Sequence, residues 1–178
     1  MHYGFAIDQE RCIGCHTCAV ACKIENNLPN EIWWNRILTD GGSNEMDIPR
    51  GSFPDNSIDY LPVNCQHCEN PACVRVCPVG ATYKDEETGI VRQDYDKCIG
   101  CRMCMAACPY QVRVRNEETG AVDKCRFCTV SAETTGTKMC SCVEACLTGA
   151  RMFGDLDDPD SDISKEIVAT TRSLSRAT

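Results

Sequence analysis

Cysteine spacing is where this chain declares its chemistry. Of its 17 cysteines, all but Cys140 fall into four near-copies of one pattern. The sets are Cys12, Cys15, Cys18 and Cys22; Cys65, Cys68, Cys73 and Cys77; Cys98, Cys101, Cys104 and Cys108; and Cys125, Cys128, Cys142 and Cys146. The first and third read C-x2-C-x2-C-x3-C, the bacterial iron–sulfur ligand run, and the second and third end in proline, Pro78 and Pro109. A cubane needs three sulfurs wrapped around one face and a fourth from elsewhere, and this spacing supplies both. Four sets of four thiolates suffice for four [4Fe–4S] clusters. The chemistry implied is electron conduction.

Disulfides and zinc fit the pattern less well. Disulfide scaffolds are small and secreted and do not repeat two-residue spacings. A C-x2-C-x2-C run would crowd three sulfurs that disulfides must pull apart. Zinc ribbons pair two C-x2-C units across a longer stretch, without a third cysteine two residues on.

Composition agrees with a metal-held fold. Aromatic residues are only 6% of the chain, so metal is expected to stand in for missing hydrophobic core. The formal charge is −8. Each oxidised cluster with its four thiolates adds about −2, which takes the loaded protein to on the order of −16. That excludes a nucleic-acid partner, which needs a basic face. Lys23, Lys97, Arg102, Lys124 and Arg126 lie beside the ligands and read as charge compensation, with tuning of the clusters or steering of a partner as the sharper role. No stretch approaches the roughly 20 apolar residues of a membrane span. The N-terminus lacks a basic start and a long apolar run, so it does not read as a signal peptide. The chain is expected to lie peripheral to the cytoplasmic membrane after export folded with a partner, or else in the cytoplasm.

The elements that must hold these cysteines repeat as well. Ala81–Lys84 and Ile90–Gln93 read as a hairpin around a turn at Asp85–Gly89. Val112–Arg115 and Ala121–Asp123 read as another around Asn116–Gly120. Both turns contain Glu-Glu-Thr-Gly and both hairpins lead to Asp-Lys-Cys, which marks a duplicated unit. Residues 102–108 are good helix formers, so Cys104 and Cys108 share a helix face, with Pro109 ending it. Cys18–Cys22 repeats this without the proline. In the long spacer 23–64, Ile32, Trp33, Trp34, Ile37 and Leu38 are apolar. One tryptophan is assigned to core, while the other stays open to a partner. The acidic run Asp155–Asp162 reads as a solvated loop, because it lacks the order of a Ca²⁺ loop. Residues 163–178 read as a short helix capped by Ser164, or as a frayed end.

These motifs resemble the iron–sulfur subunits of the DMSO reductase family of molybdenum or tungsten enzymes. The resemblance is carried by Cys12–Ile13–Gly14–Cys15–His16–Thr17–Cys18, by Cys65–Gln66–His67–Cys68–Glu69–Asn70–Pro71–Ala72–Cys73 and by Cys77–Pro78–Val79–Gly80–Ala81. Cys98–Ile99–Gly100–Cys101, Cys108–Pro109–Tyr110 and Gly154–Pro159 complete it. It implies an α+β fold of two bacterial-ferredoxin-like double-cluster modules, with short helices and β-hairpins around the clusters. The inner module, residues 61–112, would hold the second and third motifs. The outer, residues 1–60 with 113–178, would hold the first and fourth. The resemblance also implies a large catalytic partner with a bis-pterin molybdenum or tungsten site, and a membrane anchor subunit or a soluble donor beyond it. No catalytic site is expected in this chain. A free-standing polyferredoxin is the other reading, against which the long spacer and the tail argue.

In two-cluster ferredoxins the fourth cysteine of a run binds the other cluster of the pair. Applied to the implied modules, Cys108 joins Cys65, Cys68 and Cys73, while Cys77 joins Cys98, Cys101 and Cys104. The resemblance likewise places Cys146 with Cys12, Cys15 and Cys18, and Cys22 with Cys125, Cys128 and Cys142. Three departures stand out. Leu147 replaces the usual proline after the last ligand and is expected to loosen the helix stop. Cys140 competes with Cys142 as third ligand of its motif, with Cys142 preferred. The chain also lacks the longer C-terminal sequence with which some relatives contact a membrane partner. His16 and His67 lie in ligand loops and read as packing or hydrogen-bonding residues, since cysteines complete each set. His2 carries no signal.

Overall fold

The computed structural model describes residues 2–39, 49–128 and 140–167. The described strands form five separate antiparallel pairs. In chain order the elements are β1 Tyr3–Ile7, α1 Thr17–Glu25, β2 Arg36–Thr39, β3 Arg50–Ser52, β4 Asp55–Ser57, β5 Tyr60–Val63, α2 Ala72–Arg75, β6 Thr82–Lys84, β7 Val91–Gln93, α3 Met103–Ala106, β8 Val114–Arg115, β9 Val122–Asp123, α4 Ser141–Glu144 and β10 Arg151–Asp155. Residues 162–167 are helical too.

The two repeated hairpins form, and their turns match bond for bond. Asp85 N–H donates to Ile90 O and Gly89 N–H to Asp85 O, both at 2.9 Å. In the second hairpin Asn116 N–H donates to Ala121 O at 2.9 Å and Gly120 N–H to Asn116 O at 2.8 Å. Asp85 Oδ1 accepts the Glu87 and Thr88 amides, as Asn116 Oδ1 accepts those of Glu118 and Thr119. A short side-chain acceptor that mimics the backbone explains why Asp and Asn open these turns. Gly89 and Gly120 close them at φ +70° and +71°, where a Cβ would be strained.

A third pairing was not legible locally. β1 pairs with β10 from Tyr3↔Asp155 to Ile7↔Arg151, so the two ends of the described chain meet. His2, uninformative in sequence, helps to tie them. Its amide donates to Asp155 Oδ1 at 2.8 Å, and its carbonyl accepts the Leu156 amide at 2.8 Å. The first part of the acidic run therefore anchors the N-terminus, while Asp157, Asp158 and Asp160 stay exposed.

The helices pack in pairs, α1 against α4 and α2 against α3. The core between them is built from ligand cysteines together with Ile32, Trp34, Ile37, Val63, Ile90, Val112 and Phe127. Trp34 is the core tryptophan. Trp33 is partly exposed, with Lys23 Nζ 4.4 Å from its ring centroid.

Two expectations are corrected. The cap of the last helix is Ser161, not Ser164: Ser161 Oγ accepts the Ser164 amide at 3.3 Å, the bond from the N-cap to the third helical residue. Residues 168–178 lie outside the described chain. Leu147 does not loosen the stop after α4. That helix is as short as α2 and α3, and its Cys146 N–H turns back to Val143 O at 3.0 Å, as Cys77 does to Val74 O and Cys108 to Met105 O. The stop comes from this tightened last turn and from a left-handed residue three places on, at Gly80, Gln111 and Gly149 (φ +64°, +50° and +65°). Proline is not needed for it.

Candidate iron–sulfur centres

Each motif places its cysteines on the same scaffold. The N-caps of α1 to α4 are His16, Pro71, Arg102 and Cys140. The second helical residue is then Cys18, Cys73, Cys104 and Cys142. Four residues further, about 6 Å along the axis, come Cys22, Cys77, Cys108 and Cys146. Within each C-x2-C pair, the residue before the second cysteine is left-handed: Gly14, His67, Gly100 and Phe127 have φ of +66°, +44°, +65° and +56°. That turn brings the loop around on itself between the first two cysteines.

The helix pairing brings cysteines of different motifs together. One cavity is lined by Cys12, Cys15, Cys18 and Cys146, and another by Cys77, Cys98, Cys101 and Cys104. Elsewhere Cys68 feels the charges of Cys65, Cys73 and Cys108. Cys22 feels those of Cys142 and Cys128, and Cys125 those of Cys22 and Cys142. Among the described residues no three Cys, His, Asp or Glu side chains close to the spacing of a single-ion site.

The electrostatics suit thiolates gathered around a cationic core. Burial, reinforced by neighbouring thiolates, pushes the Cys22 thiol up to about 12 and Cys142 up to about 11. Burial also acts to raise Cys77 and Cys146, but the amides that follow them outweigh it and hold both below the ordinary thiol range. These are Thr82, Val79, Ala81 and Gly80 for Cys77, and Arg151, Thr148 and Ala150 for Cys146, with the Thr148 side chain also contributing. Three cations are buried without a carboxylate partner among the described residues. Lys124 is wholly enclosed, and Arg113 and Arg151 are each 3% exposed. Lys124 Nζ donates to the carbonyls of Val91 and Cys125. Arg113 Nη2 donates to Cys73 Sγ at 3.1 Å. A buried cation is costly unless something anionic answers it, and here the cysteines are what lies in reach.

Comparison with known proteins decides the family. Two profiles described as 4Fe-4S dicluster domain match, over residues 56–156 and 11–81. A Halobacterium salinarum protein, provisionally named as an iron-sulfur subunit of dimethyl sulfoxide reductase, is 48% identical, over 93% of this chain and 71% of that one. The Escherichia coli protein NrfC is 42% identical, over 93% and 70%. One of the polysulfide reductase chains of Wolinella succinogenes is 40% identical, over 94% and 83%. The protein belongs to the 4Fe-4S dicluster family of reductase iron–sulfur subunits. As such a subunit it carries four [4Fe–4S] clusters and transfers electrons, with the substrate chemistry done elsewhere.

In this dicluster subunit the cysteine sets differ in access. Cys15 and Cys101 are exposed, although Cys18 and Cys104 beside them are buried, whereas Cys22, Cys125, Cys128 and Cys142 are all buried. His67 and Phe127 hold the left-handed positions that glycine fills in the first and third loops, and their rings stack with centroids 3.8 Å apart. His67 Nδ1 accepts the Val91 amide at 3.1 Å, which places the proton on Nε2. Burial, with the charges of Lys124, Arg113 and Arg92, holds the imidazole well below its usual range and therefore neutral. His16 is exposed at the N-cap of α1. Of the basic residues singled out in sequence, Lys124 is buried and Arg126 lies over the Trp34 ring. Lys97 pairs with the partly buried Asp94, and Arg102 with the exposed Glu117. Sequence reading missed Arg113 and Arg151. A signal was present, since each stands five residues after a fourth cysteine, Cys108 and Cys146.

Proposed function

We propose that this chain relays electrons through two double-cluster modules to or from a large catalytic subunit with a bis-pterin molybdenum or tungsten site. The inner module comprises residues 61–112 and the outer comprises 1–60 with 113–178. Four sets of ligands carry the relay: Cys12, Cys15, Cys18 and Cys146; Cys65, Cys68, Cys73 and Cys108; Cys98, Cys101, Cys104 and Cys77; and Cys125, Cys128, Cys142 and Cys22. The observation that carries this reading is the pairing of α1 with α4 and of α2 with α3. Each helix bears one cysteine at its second residue and another a turn later, so every pair offers two crossed sets.

When bound, such clusters accept and release single electrons. The chain's own residues set the terms. The exposed Cys15 and Cys101 put the first and third sets at the surface, where a donor and an acceptor can approach. The fourth set, Cys125, Cys128, Cys142 and Cys22, lies wholly inside, and the second is part-buried, with Cys65 its enclosed member. Cys65 acts on Cys125, and the His67–Phe127 stack fills the space between their loops. In this reading the stack shields the two inner loops from water and holds them against each other. Cys142 is preferred to Cys140 as a ligand because Cys140 occupies the N-cap place taken elsewhere by His16, Pro71 and Arg102.

The molybdenum or tungsten partner rests on the relatives, whose names place them in sulfur-compound reductases. No described helix is long and apolar enough to cross a membrane, and attachment through another subunit is the arrangement we favour. The protein would then sit peripheral to the cytoplasmic membrane. EPR of serine variants tests the crossed sets: Cys108→Ser should perturb the signal that Cys65→Ser perturbs. A match with Cys98→Ser instead would mean that each run binds its own cluster. Anaerobic purification should yield a larger subunit with a pterin-bound metal. A monomer that exchanges electrons with unrelated proteins would make the chain a free carrier.

A further inference from the structure

Arg113 and Arg151 occupy corresponding places in the two helix pairs. Each follows a fourth cysteine by five residues, and each reaches the third cysteine of the set that fourth cysteine belongs to. Arg113 Nη2 lies 3.1 Å from Cys73 Sγ, and Arg151 Nη1 lies 4.0 Å from Cys18 Sγ. Each guanidinium also acts on its neighbouring set, Arg113 on Cys104 and Arg151 on Cys22 and Cys142. Neutral partners hold them in place. Arg113 Nη1 donates to Thr82 Oγ1 and Gln93 Oε1, both at 3.3 Å. Arg151 donates to Asn35 Oδ1 at 3.0 Å and Asn64 Oδ1 at 2.9 Å. Amide and hydroxyl acceptors fix a guanidinium without neutralising it, so its charge stays directed at the sulfurs. A carboxylate in their place would cancel that charge.

We propose that Arg113 and Arg151 are charge-setting residues, one for each helix pair, each placed between the two cysteine sets that its pair brings together so that a single buried guanidinium favours the reduced form of both bound clusters. Reduction adds one negative charge to a group that already carries about −2. In a buried setting a nearby fixed cation offsets that charge far better than water-screened surface lysines can. Sharing one cation between two clusters also eases their mutual repulsion when both are reduced. The proposal rests on the crossed ligand sets above.

The test is an EPR-monitored redox titration of the anaerobically purified complex carrying Arg113→Gln, Arg113→Lys, Arg151→Gln or Arg151→Lys. Arg113→Gln should lower, at least tenfold, the equilibrium constant for reducing two clusters, about 59 mV for each one-electron couple, and leave the other two unmoved. Arg151→Gln should shift the complementary pair. The lysine variants keep the charge and should recover at least half of each shift on the mV scale. Unmoved potentials in the glutamine variants, a common shift of all four clusters, or lysine variants no better than glutamine would overturn the proposal. If the glutamine variants shed iron, lysine variants with full iron and near-parental potentials uphold it, and lysine variants that shed iron equally overturn it. Iron content separates the charge role from the cluster count beneath it. About sixteen irons with unmoved potentials sinks the charge role alone, whereas far fewer in the unsubstituted protein sinks the four-cluster reading.

Discussion

Replacing Phe127 by glycine sets a local gain against a long-range loss at one residue. Phe127 is left-handed, φ +56°, a conformation that costs a residue with a Cβ about 1–2 kcal/mol. Glycine removes that cost and restores the residue that the sister loops carry at Gly14 and Gly100. Against this stands the ring, which is 5% exposed. Its centroid lies 4.9 Å from Phe5, 5.1 Å from Phe153 and 3.8 Å from His67. Truncating such a phenylalanine to alanine costs roughly 3–5 kcal/mol. The net expectation is a loss of about 3 kcal/mol. At roughly 2–4 °C per kcal/mol for a chain of this size, the apparent midpoint should fall by about 6–12 °C. Anaerobic thermal melts, followed by circular dichroism and by iron–sulfur absorbance, measure it. His67→Gly should also destabilise, and the double variant should lose less than the sum, since stacked rings are coupled by about 0.5–1.5 kcal/mol. A Phe127→Gly protein that melts at or above the parent would refute the reasoning, because loop strain would then outweigh the stack.

Cys140→Ser should leave all four cluster signals in place, whereas Cys142→Ser should remove or convert one; EPR with iron analysis reads both, and the reverse result would exchange their roles. Gly100→Ala should abolish the cluster of the third loop while sparing the first. Its Cβ would stand 2.4 Å from the Gly120 carbonyl oxygen, backbone that cannot swing aside, and φ is +65° besides. EPR spin counting checks this, and a full complement of clusters in Gly100→Ala would contradict it.

What the sequence made legible was local. The cysteine spacing identified the candidate ligands, and the repeated Glu-Glu-Thr-Gly located both hairpins, since those turns are held by bonds within five residues. The helices carrying Cys104 and Cys18 were legible from composition, although proline received too much credit for ending them. Left-handed Gly149 and the tightened turn at Cys146 do that work behind Leu147. What stayed hidden depends on distant partners. The β1–β10 pairing joins residues nearly the whole chain apart. The His67–Phe127 stack needs two motifs to meet, and neither residue looks unusual alone. Arg113 and Arg151 could have been found by counting five residues past each fourth cysteine. That count becomes meaningful only once the helices are paired, because each arginine answers a sulfur of another motif.

Anaerobic iron and acid-labile sulfide analysis of the purified protein tests the central claim most directly. The four-cluster account expects about sixteen irons and sixteen sulfides per chain, four of each per cluster. About four irons, or zinc in their place, would contradict it.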